Sequence, residues 1–132
     1  MQKWRYLSPE WCVEAASRLR ASLTPEQMKH VTASMLTVYH NCPDGKDRAL
    51  HYKFVDGALV ELSIQEGTPS PAEFVISGDY DTFARISRAE LGSRAALMSG
   101  KLRLQGNMVK ALSLASIVDR LNRVLATIPT EF

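Results

Sequence analysis

Apolar and polar residues alternate along five runs of this chain, and helical spacing takes over on either side of them. Leu36 and Val38 alternate with Thr37 and Tyr39; Leu50, Tyr52 and Phe54 with His51 and Lys53; Val60, Leu62 and Ile64 with Glu61 and Ser63. Phe74 and Ile76 give a fourth run, Leu102 and Leu104 a fifth. A period of two sends alternate side chains to opposite faces of a strand. The first-named residues of each run are therefore expected to face a core. One apolar and one polar face per strand predicts a largely antiparallel sheet, covered on one side and wet on the other. Asp56-Gly57 is a two-residue hairpin signal between the second and third runs. Cys42–Asp47 and Glu66–Pro71 carry turn and loop chemistry.

The covering layer must be helical. Ser8-Pro9-Glu10 starts a helix, which runs to about Ser22 with Trp11, Ala15 and Leu19 at spacing four. Thr24 and Gln27 have capping-box spacing, predicting a second, short helix that carries Met28 and Val31. Asp79 is placed to cap a helix holding Tyr80, Phe83, Ala84 and Ile86; Leu91, Ala95 and Met98 mark the next. Leu114, Val118, Leu121, Leu125 and Ile128 form the stripe of a C-terminal helix that Pro129 ends. The sum is one α+β domain over residues 1–132: a five-stranded, mainly antiparallel sheet with helices on one face.

Ser99–Met108 is the stretch that ties these layers together. Lys101, Arg103 and Gln105 alternate with Leu102 and Leu104; Gly100 and Gly106 bracket them; Asn107 then stands where a helix N-cap belongs, before Met108-Val109-Lys110-Ala111-Leu112. Strand, tight turn and helix follow in ten residues.

Composition narrows the function classes. The chain has 132 residues, 45% hydrophobic and 23% charged, which suits one domain with a real core. A net charge of +2 demands neither a nucleic-acid partner nor an anionic membrane. The late basic residues, from Arg85 to Arg123, are spread over several elements and read as a solvated surface. Cys12 and Cys42 form no CxxC or Cys/His metal spacing, nothing near the N-terminus resembles a signal peptide, and no run is long enough to cross a bilayer. These features point to a reducing, cytoplasmic setting with both thiols free.

Catalytic and metal chemistry find no anchor in the sequence. His30, His40 and His51 lie on three different predicted elements, with no ligand spacing. No G-x-S-x-G elbow or phosphate loop occurs, and Asp79 and Asp81 are accounted for by a helix start. No catalytic residue, metal or cofactor is assigned. What remains is an apolar constellation: Phe83, Ile86, Leu91, Met98, Leu102, Leu104, Met108, Val109 and Leu112. The residues alone leave two readings open, a filled core and the wall of a ligand cavity.

A resemblance weights the second. Ser99-Gly100-Lys101-Leu102-Arg103-Leu104-Gln105-Gly106-Asn107-Met108 resembles the signature of the sterol carrier protein type-two family, the soluble non-specific lipid-transfer domains. Ile76–Phe83, Glu90-Leu91 and Ala95–Met98 fit as well. The likeness covers roughly residues 72–118 and extends, on strand count, from about residue 33. Ala89 stands where the family usually has a glycine, and Asn107 where aspartate is frequent. The resemblance implies a hydrophobic tunnel between sheet and helices, walled by the nine residues above. Its ligand would be a fatty acid, fatty acyl thioester, phospholipid or sterol-like molecule. Contact with membranes would be transient at most, and the C-terminal helix, about residues 113–128, is the candidate lid.

Two rival readings stand beside the carrier. One is a non-catalytic interaction or dimerisation module with a collapsed cavity, in which Trp4, Tyr6 and Trp11 supply an exposed apolar surface to a second copy. The other is a small enzyme acting on an acyl substrate through Cys42 or His51.

Overall fold

The computed structural model describes residues 3–66, 71–88 and 90–132, leaving out the side chains of residues 93, 112, 113 and 115. In chain order the elements are β1 (Trp4–Arg5), α1 (Pro9–Ser22), β2 (Ala33–His40), β3 (Arg48–Val55), β4 (Ala58–Gln65), β5 (Phe74–Asp79), α2 (Tyr80–Ser87), α3 (Ser93–Met98), β6 (Leu102–Gln105), α4 (Met108–Ser113), α5 (Ala115–Leu125) and β7 (Thr130–Glu131). The main sheet has the order β4-β3-β2-β5-β6. Its pairs are antiparallel except β2 with β5, which run parallel. The α+β class and the five strands are as the sequence predicts.

Local chemistry sets most boundaries. Ser8 Oγ accepts from the Trp11 N–H at 3.1 Å and Pro9 opens α1, whose Trp11, Cys12, Ala15 and Leu19 are buried. The hairpin at Asp56-Gly57 has φ of +50° and +83° at its two residues, as a tight right-twisting turn requires. Gly57 has a second reason to lack a side chain. A Cβ there would lie 2.7 Å from the Pro25 backbone, and the Gly57 N–H donates to Val31 O at 2.8 Å.

The second predicted helix does not form. Thr24 and Gln27 make both reciprocal capping bonds, at 3.0 and 3.1 Å. After a single turn, however, the chain enters the left-handed region at Lys29 and His30 (φ +52° and +51°). The His30 N–H bonds Pro25 O and the Lys29 N–H bonds Glu26 O, the closure of a helix C-terminus. The turn still drives Met28 into the core, fully buried.

Two strands differ in facing from the sequence reading. In β2 it is Met35, Thr37 and Tyr39, not Leu36 and Val38, that face the helices and line an interior cavity. Leu36 is buried against the other face, in register with His51 and Val75. In β4 an irregularity opposite Lys53/Phe54 pairs Lys53 with Glu61 but Phe54 with Leu59. The extra residue turns Val60 out, 50% exposed, and Leu59 in.

The ends of the chain are joined by a ladder with no precursor in the sequence pattern: β1 pairs β7 in parallel, Trp4 with Thr130 and Arg5 with Glu131. Tyr6 follows directly and becomes the hub of an aromatic cluster. Its ring lies 5.0 Å from Trp11, 4.9 Å from Phe132, 5.5 Å from Tyr80 and 5.9 Å from Tyr39. Trp11 and Tyr6 are therefore interior residues and Trp4 is half-buried against the same core. The exposed aromatic surface assigned to them as a dimer patch does not exist.

Candidate functional site

The helical layer meets the sheet along a seam between β2, β5 and β6 on one side and α2 to α5 on the other. Two cavities lie in it. The outer, about 90 Å³, is lined by Met35, Phe74, Ile76, Leu97, Leu102, Leu104, Ala111, Leu114 and Val118, with Arg94 at its edge. The inner, about 50 Å³, is lined by Met35, Thr37, Tyr39, Tyr52, Ile76, Phe83, Ile86, Leu102, Val118 and Leu121, among others. Met35, Ile76, Leu102 and Val118 belong to both, so one wall of side chains runs from the outer mouth to the middle of the domain.

The sequence places this wall through β6. Gly100 (φ +81°) turns the chain out of α3, Leu102 and Leu104 point into the seam, and Gly106 turns it toward α4. A Cβ on Gly106 would sit 2.8 Å from the Phe74 ring, so glycine lets this turn close on a pocket wall. Asn107 Oδ1 then accepts from the Lys110 N–H at 3.1 Å, capping α4 as its position predicts. Asp79 stands before α2 but does not cap it through its side chain, which accepts from Asn41 Nδ2 at 3.0 Å instead.

The inner cavity is apolar in its bulk and hydroxyl-rich on one side. Tyr6, Thr37, Tyr39, Tyr52 and Ser87 all line it. Burial pushes the Tyr6, Tyr39 and Tyr52 hydroxyls well above the usual phenol range, and none of the described lining residues is charged. The Ser87 side chain is buried on the same side, beside Tyr6.

Of the nine predicted wall residues, the structure brings four together. Phe83, Ile86 and Leu102 line the inner cavity, and Leu102 and Leu104 the outer. Leu91 packs half-buried against the core but lines neither. Met98 (78% exposed), Met108 (48%) and Val109 (80%) project into solvent. The reason is length: α3 and α4 have six residues each, too few for apolar spacing to identify an inner face. The side chain of Leu112, like residue Ala89, lies outside the described residues. The sequence reading puts Phe74, Ile76, Leu114 and Val118 on inward faces without assigning them to the wall, and it misses Met35, Leu97 and Ala111. Met35 sits on a strand whose two faces are both apolar, and Leu97 and Ala111 each stand one helical position from an exposed residue, Met98 and Lys110.

A larger concavity lies elsewhere. About 950 Å³ opens between α1, β4 and the turn at Pro43-Asp44, lined by Tyr6, Cys12, Ala16, Leu62, Ile64 and Phe132 but also by Arg5, Arg20, Arg48, Asp44, Glu66 and Glu131. Arg48 is committed there to Asp44 at 2.5 Å and Glu66 at 3.2 Å. The adjacent guanidinium holds the Asp44 carboxyl down at about 2. Size favours this cleft, but its lining alternates charge with hydrocarbon. For an alkyl ligand the seam is the better match, because withdrawing CH₂ groups from water only helps where the walls are apolar. Tyr6 lines both the cleft and the inner cavity.

The residues proposed for acyl chemistry are not arranged for it. Cys42 Sγ points at the Tyr39 carbonyl, 3.6 Å away, and burial pushes its thiol up, away from the reactive thiolate. Cys12 is likewise buried and raised, its Sγ 3.4 Å from Leu62 O. Both thiols are free. His51 sits on the opposite face of the sheet from the seam, 3.4 Å from Glu61. Among the described residues no group of three His, Cys, Asp or Glu side chains could hold a metal ion, and no helix is long and apolar enough to cross a membrane.

Comparison with known proteins identifies the fold and the family. A crystal structure of sterol carrier protein 2 superposes with a TM-score of 0.82 at 22% identity, over 94% of this chain and 99% of that one. A palmitated sterol carrier protein 2-like protein of Aedes aegypti superposes at 0.60 with 19% identity, over 84% of this chain and 94% of that one. Hydroxysteroid dehydrogenase-like protein 2 of Bos taurus is 36% identical over 64 residues; they make up 48% of this chain but 15% of that protein. The description of the SCP-2 sterol transfer family matches residues 17–119, and the chain belongs to that family.

Proposed function

We propose that this domain binds a single lipid non-covalently in the seam, with the alkyl part against Ile76, Leu102, Leu104 and Val118, and transfers it. The observation that carries the reading is the continuous apolar wall shared by the two cavities. Family membership supports lipid binding or transfer in general, and the palmitate of the mosquito neighbour supports a fatty acyl chain as ligand. A chain of ~16 carbons recovers on the order of 10 kcal/mol gross at about 0.8 kcal/mol per buried CH₂. No covalent step is needed for affinity of that size.

Cavities of about 90 and 50 Å³ are below the roughly 300 Å³ at which small-molecule pockets begin, so a whole lipid enters only if the seam opens. The C-terminal helix is the costlier part to move. Ile117, Leu121 and Leu125 of α5, with Ile128 after it, are all buried; releasing four such side chains costs about 6–12 kcal/mol, comparable with the whole stability of a domain. We therefore assign the lid to α4. Its Met108 and Val109 are already exposed, and its described ties include the Asn107 cap and an exposed Lys110–Glu73 ion pair, each worth about 1 kcal/mol.

Titration of a fluorescent fatty acid into the native protein and into Leu104→Asp tests the site. A carboxylate in the outer cavity should weaken binding at least tenfold, while Met98→Asp, at an exposed position, should leave binding in solution unchanged. Equal affinity of Leu104→Asp and the native protein would remove the ligand from the seam. The volume of the α1 cleft favours one alternative, an amphiphile lying there; Ile64→Asp would then be the variant that loses binding.

A further inference from the structure

The two cavities of the seam differ in chemistry. Among the described residues that line the outer one, Arg94 alone is polar. The inner one is lined by six side chains that can hydrogen-bond, Tyr6, Thr37, Tyr39, Tyr52, Ser87 and Asn122, and among its described lining residues none is charged. Thr37, His51 and Ser87 are the buried non-aromatic polar residues among those described, and two of the three stand here. Buried hydroxyls are costly unless each finds a partner, so their gathering at one end of an apolar passage asks what they bond. The tyrosines form a chain: Tyr39 hydrogen-bonds Tyr6 and Tyr52. Each hydroxyl has one O–H to donate and two lone pairs to accept with. Two links among three hydroxyls use two of the three donors. One O–H and several lone pairs are left for a further partner, with Thr37 and Ser87 adding theirs. Burial keeps these phenols protonated, so they stay donors at neutral pH.

We propose that the inner cavity is a subsite for a neutral hydrogen-bonding group on the buried end of the lipid, and that the ligands the seam prefers are acyl chains hydroxylated at that end. The inference rests on the reading that lipid binds in the seam and adds the ligand class. An ionised carboxylate meets no cation among the described residues of the inner cavity, so an acid keeps that end on the outer side, where Arg94 stands. Hydrocarbon then runs along Ile76, Leu102 and Val118, which both cavities share, and the hydroxyl reaches the Tyr39 cluster. The volume suits a terminal hydroxymethyl group: about 50 Å³ also matches one water, whose share of the liquid is about 30 Å³. A plain methyl end displaces such a water without replacing its hydrogen bonds, whereas a hydroxyl end restores them.

Displacement of a fluorescent fatty acid by palmitate and by ω-hydroxypalmitate tests it, read as the ratio of the two affinities. The native protein should bind the hydroxylated acid at least as tightly as palmitate. In a seam apolar throughout, the buried hydroxyl would go unpaired and its acid would bind about tenfold weaker. Tyr39→Phe should shift the ratio about fivefold against the hydroxylated acid. Ser87→Ala, a smaller change at the same end, should shift it in the same direction, and it carries the test if Tyr39→Phe does not fold. A general loss of packing weakens both acids alike and leaves the ratio where it was. A native preference for palmitate of about tenfold, or a ratio that no folded variant moves, would overturn the subsite and leave lipid in the seam standing. Failure of palmitate itself to bind the native protein would fault the seam, and the subsite with it.

Discussion

Leu102→Ala separates a filled core from a ligand cavity, because the two respond to it in opposite ways. Leu102 is 5% exposed, lines both cavities of the seam, and stands across from Gly78 in the β5–β6 pairing. Truncation removes the transfer free energy of the side chain, about 2 kcal/mol. The void it leaves joins existing cavities rather than collapsing. The volume it adds, beyond the space already present, carries a further cost of about 1–2 kcal/mol for a buried leucine cut to alanine. The free protein should therefore lose about 3–4 kcal/mol, read from urea unfolding followed by circular dichroism. If the seam is a filled core, nothing restores that loss. If it accepts an alkyl chain, the enlarged void reduces the cost of opening and the ligand fills the space. A fatty acid at a hundred times its dissociation constant stabilises by about 2.7 kcal/mol, and at a fixed concentration the gain should be larger in the variant than in the native protein. Leu50→Ala is the control: Leu50 is fully buried on β3 and lines neither cavity, so its loss should not be recovered beyond the native gain. A Leu102→Ala protein that fatty acid stabilises no more than it does Leu50→Ala would refute the reasoning.

Other consequences follow from the same geometry. Asn107→Ala removes the α4 cap, about 1 kcal/mol, and should speed fatty acid uptake about fivefold in stopped-flow fluorescence; an unchanged rate would mean that α4 is not the lid. Gly57→Ala should cost about 2 kcal/mol or more, since it combines φ of +83° with a backbone approach at Pro25, and a melting temperature within a degree of native would contradict this. Tyr6, Tyr39 and Tyr52 have hydroxyls raised in the folded state, so the unfolded state loses their protons first. Stability is fully present below pH about 10 and should fall above it by up to about 4 kcal/mol per pH unit if all three contribute; tyrosinate absorbance should then rise together with unfolding rather than before it.

The sequence was most legible where a local device and the global pattern coincide. The Ser8-Pro9 start, the Asp56-Gly57 hairpin, the Gly-bracketed strand of Leu102 and Leu104, and the C-terminal stripe of Leu121, Leu125 and Ile128 all fall where spacing puts them. It was least legible where apolar residues occur on both faces of an element. Met35-Leu36-Thr37-Val38-Tyr39 offers two apolar faces, and alternation alone cannot say that Tyr39 looks inward; what decides it is the packing of Tyr39 on Phe83, 4.5 Å between rings. The extra residue at Val60 reverses facing within one strand, which no period of two anticipates. Met98, Met108 and Val109 stand outside the wall for a related reason, because apolar character does not mark burial on helices too short to show a side. The β1–β7 ladder is two residues long and arises from the meeting of chain ends 126 positions apart in register, Trp4 with Thr130, a contact that no local signal encodes.

Intermolecular nuclear Overhauser effects between a ¹³C-labelled fatty acid and the methyl groups of the protein test the central claim most directly. Lipid in the seam would give contacts to Ile76, Leu102, Leu104 and Val118 and none to Leu36 or Val38 on the opposite face of the sheet. Contacts confined to Val13, Leu62 and Ile64 would put the ligand in the α1 cleft and contradict the account.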